Sequence, residues 1–405
     1  MLLARLLDQI VEQGSVRIID ASGRTHVVGG RRPGPTVTIR LHDRKLETQI
    51  ALNPRLRLGE AYMDGLLTIE DASLYEFLDL IGRNVEMFEG NRWIRALTGL
   101  SSAFRRLQQN NPAKRAKVNV AHHYDLSDEL YSLFLDEDRQ YSCAYFQSDN
   151  ESLEIAQQNK KRHIASKLLL KPGCRVLDIG CGWGGLALYL ARVGECEVTG
   201  ITLSEQQHAV ATRRAAEMGL SDRVRFHLRD YRAETGTYDR IVSVGMFEHV
   251  GAAYYPHFFT KVKDLLEPDG VALLHSIGRM EPPGNTNAWL RKYIFPGGYS
   301  PALSEALAAV ERIGLWVTDM EILRLHYAKT IAEWRRRFEA NRDRIQAIYD
   351  DRFCRMWEFY LVIVEQSFRY WRQMVFQMQL TRGLEVVPLT RDYMLDWERE
   401  HVAAA

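Results

Sequence analysis

Long apolar runs are missing from this chain. Nowhere in its 405 residues do roughly 18 apolar positions follow one another, the length a helix needs to cross a bilayer. Net charge is almost absent: 53 Lys and Arg against 52 Asp and Glu leave +1, which gives no global pull toward nucleic acid. Cysteine is scarce and unpaired. Cys143, Cys174, Cys181, Cys196 and Cys354 are odd in number and contain no C-x-x-C, so disulfide and metal readings are weak, no metal is expected, and a reducing cytoplasm is the expected compartment. The opening MLLARLLDQIVEQG has neither the long apolar core nor the small-residue cleavage site of a secretory signal. It reads as an amphipathic helix with Leu2, Leu3, Leu6, Leu7, Ile10 and Val11 on one broad face.

What is present is an ordinary globular composition, 46% hydrophobic and 26% charged, on a chain too long for one core. Residues 1–90 read as a small α+β domain. Strand-like SVRIID, TVTIRLHD and TQIALN are punctuated by Gly and Pro, and LTIEDASLYEFLDLIGRNVEMF has helical periodicity. Residues 91–117 hold Arg92, Arg95, Arg105, Arg106, Lys114, Arg115 and Lys117 with no acidic residue, interleaved with Trp93, Ile94, Leu97, Leu100, Phe104 and Leu107. That is a solvated linker or a basic amphipathic segment suited to an anionic lipid surface, and the two readings are compatible. Residues 118–390 form the third region. From residue 172 strands and helices alternate: CRVLDIG, GGLALYLARVG, CEVTGIT, SEQQHAVATRRAAEMG, RVRFHLRD, YDRIVSVG, YYPHFFTKVKDLLEP, GVALLHSIG. Such alternation implies a parallel sheet with helices on both faces. Around 280–330 a Pro/Gly-rich aromatic stretch interrupts the rhythm and reads as a lid insertion over the ligand edge. QMVFQMQLTRG reads as a closing strand.

VLDIGCGWGG follows a strand and opens a helix, giving D-x-G-x-G-x-G with Asp178, Gly180, Gly182 and Gly184. Glycines let a ligand approach the backbone closely, although a purely structural turn has the same pattern. The spacing is not G-x-G-x-x-G, so a dinucleotide is disfavoured. Asp178 favours S-adenosylmethionine, whose ammonium needs an acceptor. In dinucleotide-binding folds an acidic residue at the end of the second strand holds the ribose; here that strand ends in GIT of GITLSEQQ, which leaves Thr202 and Gln206 as neutral substitutes. Asp230 is a candidate for the adenine amine, with Tyr231 for stacking; a polar strand end is the alternative.

YSCAYF, LDIGCGWGG, GITLSEQQ, MFEHVG, LLHSIG, KYIFPGG and HYAKT occur in this order, with HHYDLSDELYSLFL upstream. In these motifs, over roughly residues 115–385, the chain resembles the cyclopropane fatty acid synthases and the related mycolic acid cyclopropane synthases. The resemblance implies a Rossmann-like class I S-adenosylmethionine-dependent methyltransferase fold, with the small N-terminal domain and the lid appended. It implies transfer of a methylene group to the cis double bond of an acyl chain, with a carbocation deprotonated by a bound bicarbonate. Carried over by motif, Cys143, Glu248, His275, Ile277 and Tyr327 would form the anion cage, and Tyr141 would join the cofactor site. Glu248 and His275 would orient the anion, Tyr327 would donate to it, and Cys143 and Ile277 would give backbone and shape. A nucleophilic role for Cys143 needs an activating base or cation beside it, and SCAY offers none locally. The partners implied are an anionic phospholipid surface, with the protein peripheral at the inner membrane face, and a homodimer; no nucleic acid is implied.

An acyl substrate also needs an apolar channel, because each CH₂ left in water costs roughly 0.8 kcal/mol. Trp289, Tyr293, Ile294, Phe295 and FCRMWEFYLVIVEQSFRYW could wall one or could be ordinary core. One departure from the family pattern is Glu365, where many cyclopropane synthases have a small residue. It raises a related outcome, a methyl-branched alkene in place of a ring. A non-catalytic lipid-binding protein and a small-molecule methyltransferase are the remaining alternatives.

Overall fold

In this computed structural model residues 1–90 and 128–402 are described; the basic segment 91–117 lies outside them. Among the described residues the chain divides into two compact units, one of 1–90, 284–296 and 331–373, the other of 128–283, 297–330 and 374–402.

The first unit is built on a four-stranded sheet of order β2-β1-β3-β4. Its strands are β1 (Gln13–Ile19), β2 (Thr25–Gly29), β3 (Arg32–Leu41) and β4 (Leu67–Ile69). β1 runs antiparallel to β2 and parallel to β3. Alternate residues Val16 and Ile18 are buried, which is how a sheet with one covered face reads. TQIALN, strand-like in sequence, lies in the helix Arg44–Leu52. The Asp43 side chain accepts from the Lys45 amide and caps that helix, and Leu46, Ile50 and Ala51 make its buried face. The helix Leu74–Arg83 starts in a capping box between Ser73 and Glu76.

Residues 284–296 and 331–373, read from sequence as part of the region 118–390, group with this first unit. The helix Asp351–Tyr370 packs against the helices Pro54–Met63 and Leu74–Arg83. The Trp289 ring stands 4.7 Å from Phe359, over Gly59, where a Cβ would come within 2.6 Å of it. Phe295 meets Tyr360 at 5.7 Å. These aromatics are core of the first unit. Glu365 is 1% exposed and doubly paired: Arg335 Nε donates at 3.1 Å and Arg369 Nε at 3.0 Å, so this carboxylate is buried with its charge compensated.

The second unit holds a seven-stranded sheet of order β10-β11-β9-β8-β5-β6-β7. Its strands are β5 (Arg175–Ile179), β6 (Glu197–Thr202), β7 (Val224–Leu228), β8 (Tyr238–Val244), β9 (Leu266–Arg279), β10 (Trp316–Ile322) and β11 (Gln373–Thr381). β5 to β9 pair in parallel, and β10 runs antiparallel to β11. Residues 303–322, within the stretch read as a lid, supply the helix Leu303–Ile313 and the edge strand β10. Side chains of β5 alternate between two cores. Val176 joins Leu186, Leu190 and Phe226 on one face, while Leu177 and Ile179 join Phe258, Phe259 and Val310 on the other. From β5 the strands run to β6 and β7 one way and to β8 and β9 the other. That reversal opens a crevice beyond the carboxyl ends of the strands, where ligands bind in such sheets.

Candidate functional site

β5 delivers Asp178 to that crevice. After it the chain turns through Gly180 (φ +84°), Gly182 (φ +55°) and Gly184 (φ +85°), left-handed values that suit glycine. The Gly180 and Cys181 amides donate to the Ile201 carbonyl at 2.9 and 3.0 Å, tying the turn to the end of β6. A Cβ on Gly180 would lie 2.9 Å from the Met246 Cβ, so the turn also closes on the segment after β8.

A cavity opens over this turn. Of the residues assigned to the cofactor from sequence, Tyr141, Asp178, Gly180, Gly182, Thr202, Asp230 and Tyr231 line it. Gly184 does not line it. It is the N-cap of the helix Gly185–Val193 and packs against Phe226 and Ala211. Gln206 is exposed, and the lining residue is its neighbour Gln207, whose Oε1 accepts from Thr202 Oγ1 at 2.8 Å. The helix Glu205–Glu217 decides this. Its buried stripe runs Gln207, Val210, Ala211, Ala215, and position 206 falls off that stripe. Asp230 is gripped by Arg232, Nε donating to Oδ1 and a terminal nitrogen to Oδ2, both at 2.8 Å. Tyr231 is 8% exposed and meets Phe258 edge-on at 5.4 Å.

Asp178 carries the chemistry of this cavity. It is 1% exposed, and its Oδ2 is buried with no hydrogen-bond partner. Burial pushes its carboxyl up to about 7, against a pull from Lys160. An unsatisfied acidic acceptor beside a glycine-rich turn fits the ammonium end of S-adenosylmethionine.

Several lining residues were not singled out from sequence: Gln140, Ser142, Trp183 and Arg139, the last at φ +56°. Behind two of them stands Lys160, fully buried. It donates to Gln140 Oε1 at 2.5 Å and to Ser142 Oγ at 2.9 Å, and burial draws it down to about 8. Its burial follows from the fold and not from a local motif. Lys160, Lys161 and Arg162 are consecutive in the helix Leu153–Ser166, and all three are buried.

The five residues expected to form an anion cage do not line this cavity; Met246, His249 and Val250, which flank Glu248, do. Glu248 sits in the short 3-10 turn Phe247–His249. Its Oε1 accepts from the Ile277 amide at 2.6 Å, and its Oε2 is buried without a partner. Burial pushes Glu248 up to about 7, outweighing the opposing pull of its own amide, the Ile277 amide and Ser276. His275 is 2% exposed on β9, with Nδ1 3.2 Å from Gln377 Nε2. Burial pushes it down to about 3, aided by Lys160 and Lys167. Cys143 is fully buried, with Sγ donating to the Ala144 carbonyl at 3.3 Å. A cation is near it after all, since Lys160 draws its thiol down, but burial dominates and holds the thiol far above its usual range. A neutral thiol is no nucleophile. The next residue ties this segment to the helix of Tyr327, for the Ala144 amide donates to Thr330 Oγ1 at 3.0 Å. Tyr327 itself is 8% exposed in the first turn of the helix His326–Ala340.

Comparison with known proteins gives the family. The family described as Mycolic acid cyclopropane synthetase matches residues 111–378. A cyclopropane-fatty-acyl-phospholipid synthase of Escherichia coli K12 is 38% identical over 330 residues, 82% of this chain and 84% of that protein. A tuberculostearic acid methyltransferase of Mycobacterium tuberculosis is 33% identical over 393 residues, 93% of this chain and 90% of that protein. A solved structure of a mycolic acid cyclopropane synthase complexed with SAH and CTAB aligns with TM-score 0.62 and 33% identity, over 67% of this chain and 99% of that one. With the glycine turn, the unpartnered Asp178 and the sheet order, these findings make the chain an S-adenosylmethionine-dependent methyltransferase of the mycolic acid cyclopropane synthetase family.

Proposed function

We propose that this enzyme is a cyclopropane fatty acid synthase, which adds a methylene group across the cis double bond of unsaturated phospholipid acyl chains. Bound S-adenosylmethionine supplies the electrophilic methyl group. Asp178 accepts the cofactor's ammonium, and the glycine turn admits its backbone approach. An alkene that has taken a methyl group is a carbocation. It needs a placed proton acceptor and the exclusion of water.

The observation that carries this reading is Glu248. A carboxyl held near 7, with one oxygen fixed by the Ile277 amide and the other unpartnered, can accept or donate a proton at neutral pH. That fits a small hydrogen-bonding anion, and bicarbonate is the base we assign, held by Glu248, His275, Tyr327 and the backbone around Ile277 and Cys143. His275, kept neutral, adds a hydrogen-bonding group without adding a cation. The enzyme works peripherally at an anionic membrane surface, supported by the basic run 91–117 and by the lipid activity named for its relatives. Among the described residues no helix is long and apolar enough to cross a membrane.

A second reading is methyl branching, favoured by the match to a tuberculostearic acid methyltransferase over 93% of the chain. Mass spectrometry of membrane lipids from a host without its own cyclopropane synthase separates the two. A gain of one CH₂ that resists hydrogenation is expected, together with its loss on Glu248→Gln. A gain that still takes up hydrogen establishes branching, and no gain despite cofactor binding overturns both.

A further inference from the structure

Strand β11 reads QMVFQMQLT, and Gln377 and Gln379 in it are each 1% exposed. Two glutamines buried in a largely apolar strand need a reason, because a buried amide without partners is costly. Gln379 has a structural one: its Nε2 donates to the Lys167 carbonyl at 2.6 Å and its Oε1 accepts from Thr318 at 2.8 Å. Gln377 is different, because its amide joins a buried lysine to a residue of the candidate site. Lys167 Nζ donates to Gln377 Oε1 at 2.7 Å, and Gln377 Nε2 lies 3.2 Å from His275 Nδ1.

The chemistry of these groups permits one direction only. An ammonium has donors and no acceptor, so it must face the carbonyl end of the amide. The amide therefore turns its NH₂ toward His275, and Nδ1 must accept. A neutral imidazole whose Nδ1 accepts carries its proton on Nε2. Lys167 is itself fixed by a second partner, Glu321, with which it forms an ion pair. His163 shares that carboxylate at 2.6 Å.

We propose that Lys167 and Gln377 are positioning residues that set the tautomer of His275, holding it as the Nε2–H form that offers a proton-donating ring nitrogen to an anionic oxygen in the reaction site. The use of that N–H rests on the function proposed above, whereas the tautomer does not. The ring stays neutral because burial and the two nearby lysines oppose its protonation, so a single N–H is available and its position matters. Reversing it would present a lone pair to an anion and lose a donor.

Long-range ¹⁵N–¹H correlation spectra of the histidine-labelled full-length protein at neutral pH test this directly, with the His275 signals assigned by their absence in His275→Gln. The expected result is the Nε2–H tautomer in the wild type. In Gln377→Glu, whose carboxylate can only accept, the Nδ1–H form or the imidazolium is expected, with methylene transfer at least about tenfold slower. Lys167→Met, which frees the amide to rotate, is expected to give a mixture of tautomers. An Nδ1–H signal for His275 in the wild type overturns the proposal whatever Gln377→Glu and Lys167→Met do. So does an unchanged tautomer in both variants. An Nε2–H signal together with no lipid product leaves the relay standing and removes the functional reading instead.

Discussion

On the proposed function, Asp178 is a residue that trades stability for binding. Its carboxyl titrates near 7 in the cofactor-free protein and near 4 in an unfolded chain. Between those values the folded state holds a proton that the unfolded state has lost. Stability from this group is therefore lost as pH rises from about 4 to 7, and the penalty is complete above 7, on the order of 4 kcal/mol. Asp178→Asn is accordingly expected to raise the thermal midpoint of the cofactor-free protein at pH 8 and to flatten its pH dependence, while abolishing measurable SAH binding by calorimetry. In the wild type, SAH affinity is expected to fall below pH 7, because an ammonium needs the ionised carboxylate. A midpoint that drops at pH 8 in the variant would contradict this account. Asp178 was legible in sequence because it stands next to the glycine turn. Lys160 was not, because its partners Gln140 and Ser142 come from a segment that only folding brings beneath it.

Among elements, the glycine turn and the helix after β6 divide what periodicity could reveal from what it could not. Gly180 and Gly182 line the cavity, but Gly184 is there for packing. A Cβ on it would lie 2.8 Å from Phe226 Cζ and 2.9 Å from Ala211 Cβ, at a positive φ. Gly184→Ala is expected to cost about 2–4 kcal/mol in chemical denaturation, considerably more than Gly182→Ala, which meets nothing within 4 Å and pays mainly for its backbone conformation, roughly 1–2 kcal/mol. Equal costs would show that the turn tolerates crowding. The difference between Gln206 and Gln207 is a matter of helical phase, since one residue of rotation moves a side chain from cavity to solvent. TQIALN failed as a strand for a related reason. Its run of apolar and polar residues is too short to separate the two periods, and Asp43 settled the matter as a cap.

For the whole molecule, the alternation from residue 172 onward led directly to a parallel sheet with two cores, but contiguity misled the division into units. Residues 331–373 follow the methyltransferase motifs in sequence and yet join the unit of residues 1–90. The helix Asp351–Tyr370 covers the helices Pro54–Met63 and Leu74–Arg83, and a Cβ on Gly82 would lie 2.4 Å from the Tyr370 ring. Residues 1–90 expressed alone are therefore expected to expose an apolar face, bind a hydrophobic dye and unfold without a cooperative transition. A sharp transition from that fragment would show that its sheet suffices.

The sequence by itself determined strands β5 to β9 and β11 with the helices between β5 and β9, the glycine turn and the residues of the family motifs, because those depend on local periodicity and on short spacings along the chain. Only the tertiary structure decided the charge states and orientations in the site: Asp178 and Glu248 near 7, His275 neutral, Cys143 a neutral thiol, Lys160 and Lys167 buried behind them. Protonation depends on desolvation and on partners held by other elements, and neither exists until the chain has folded.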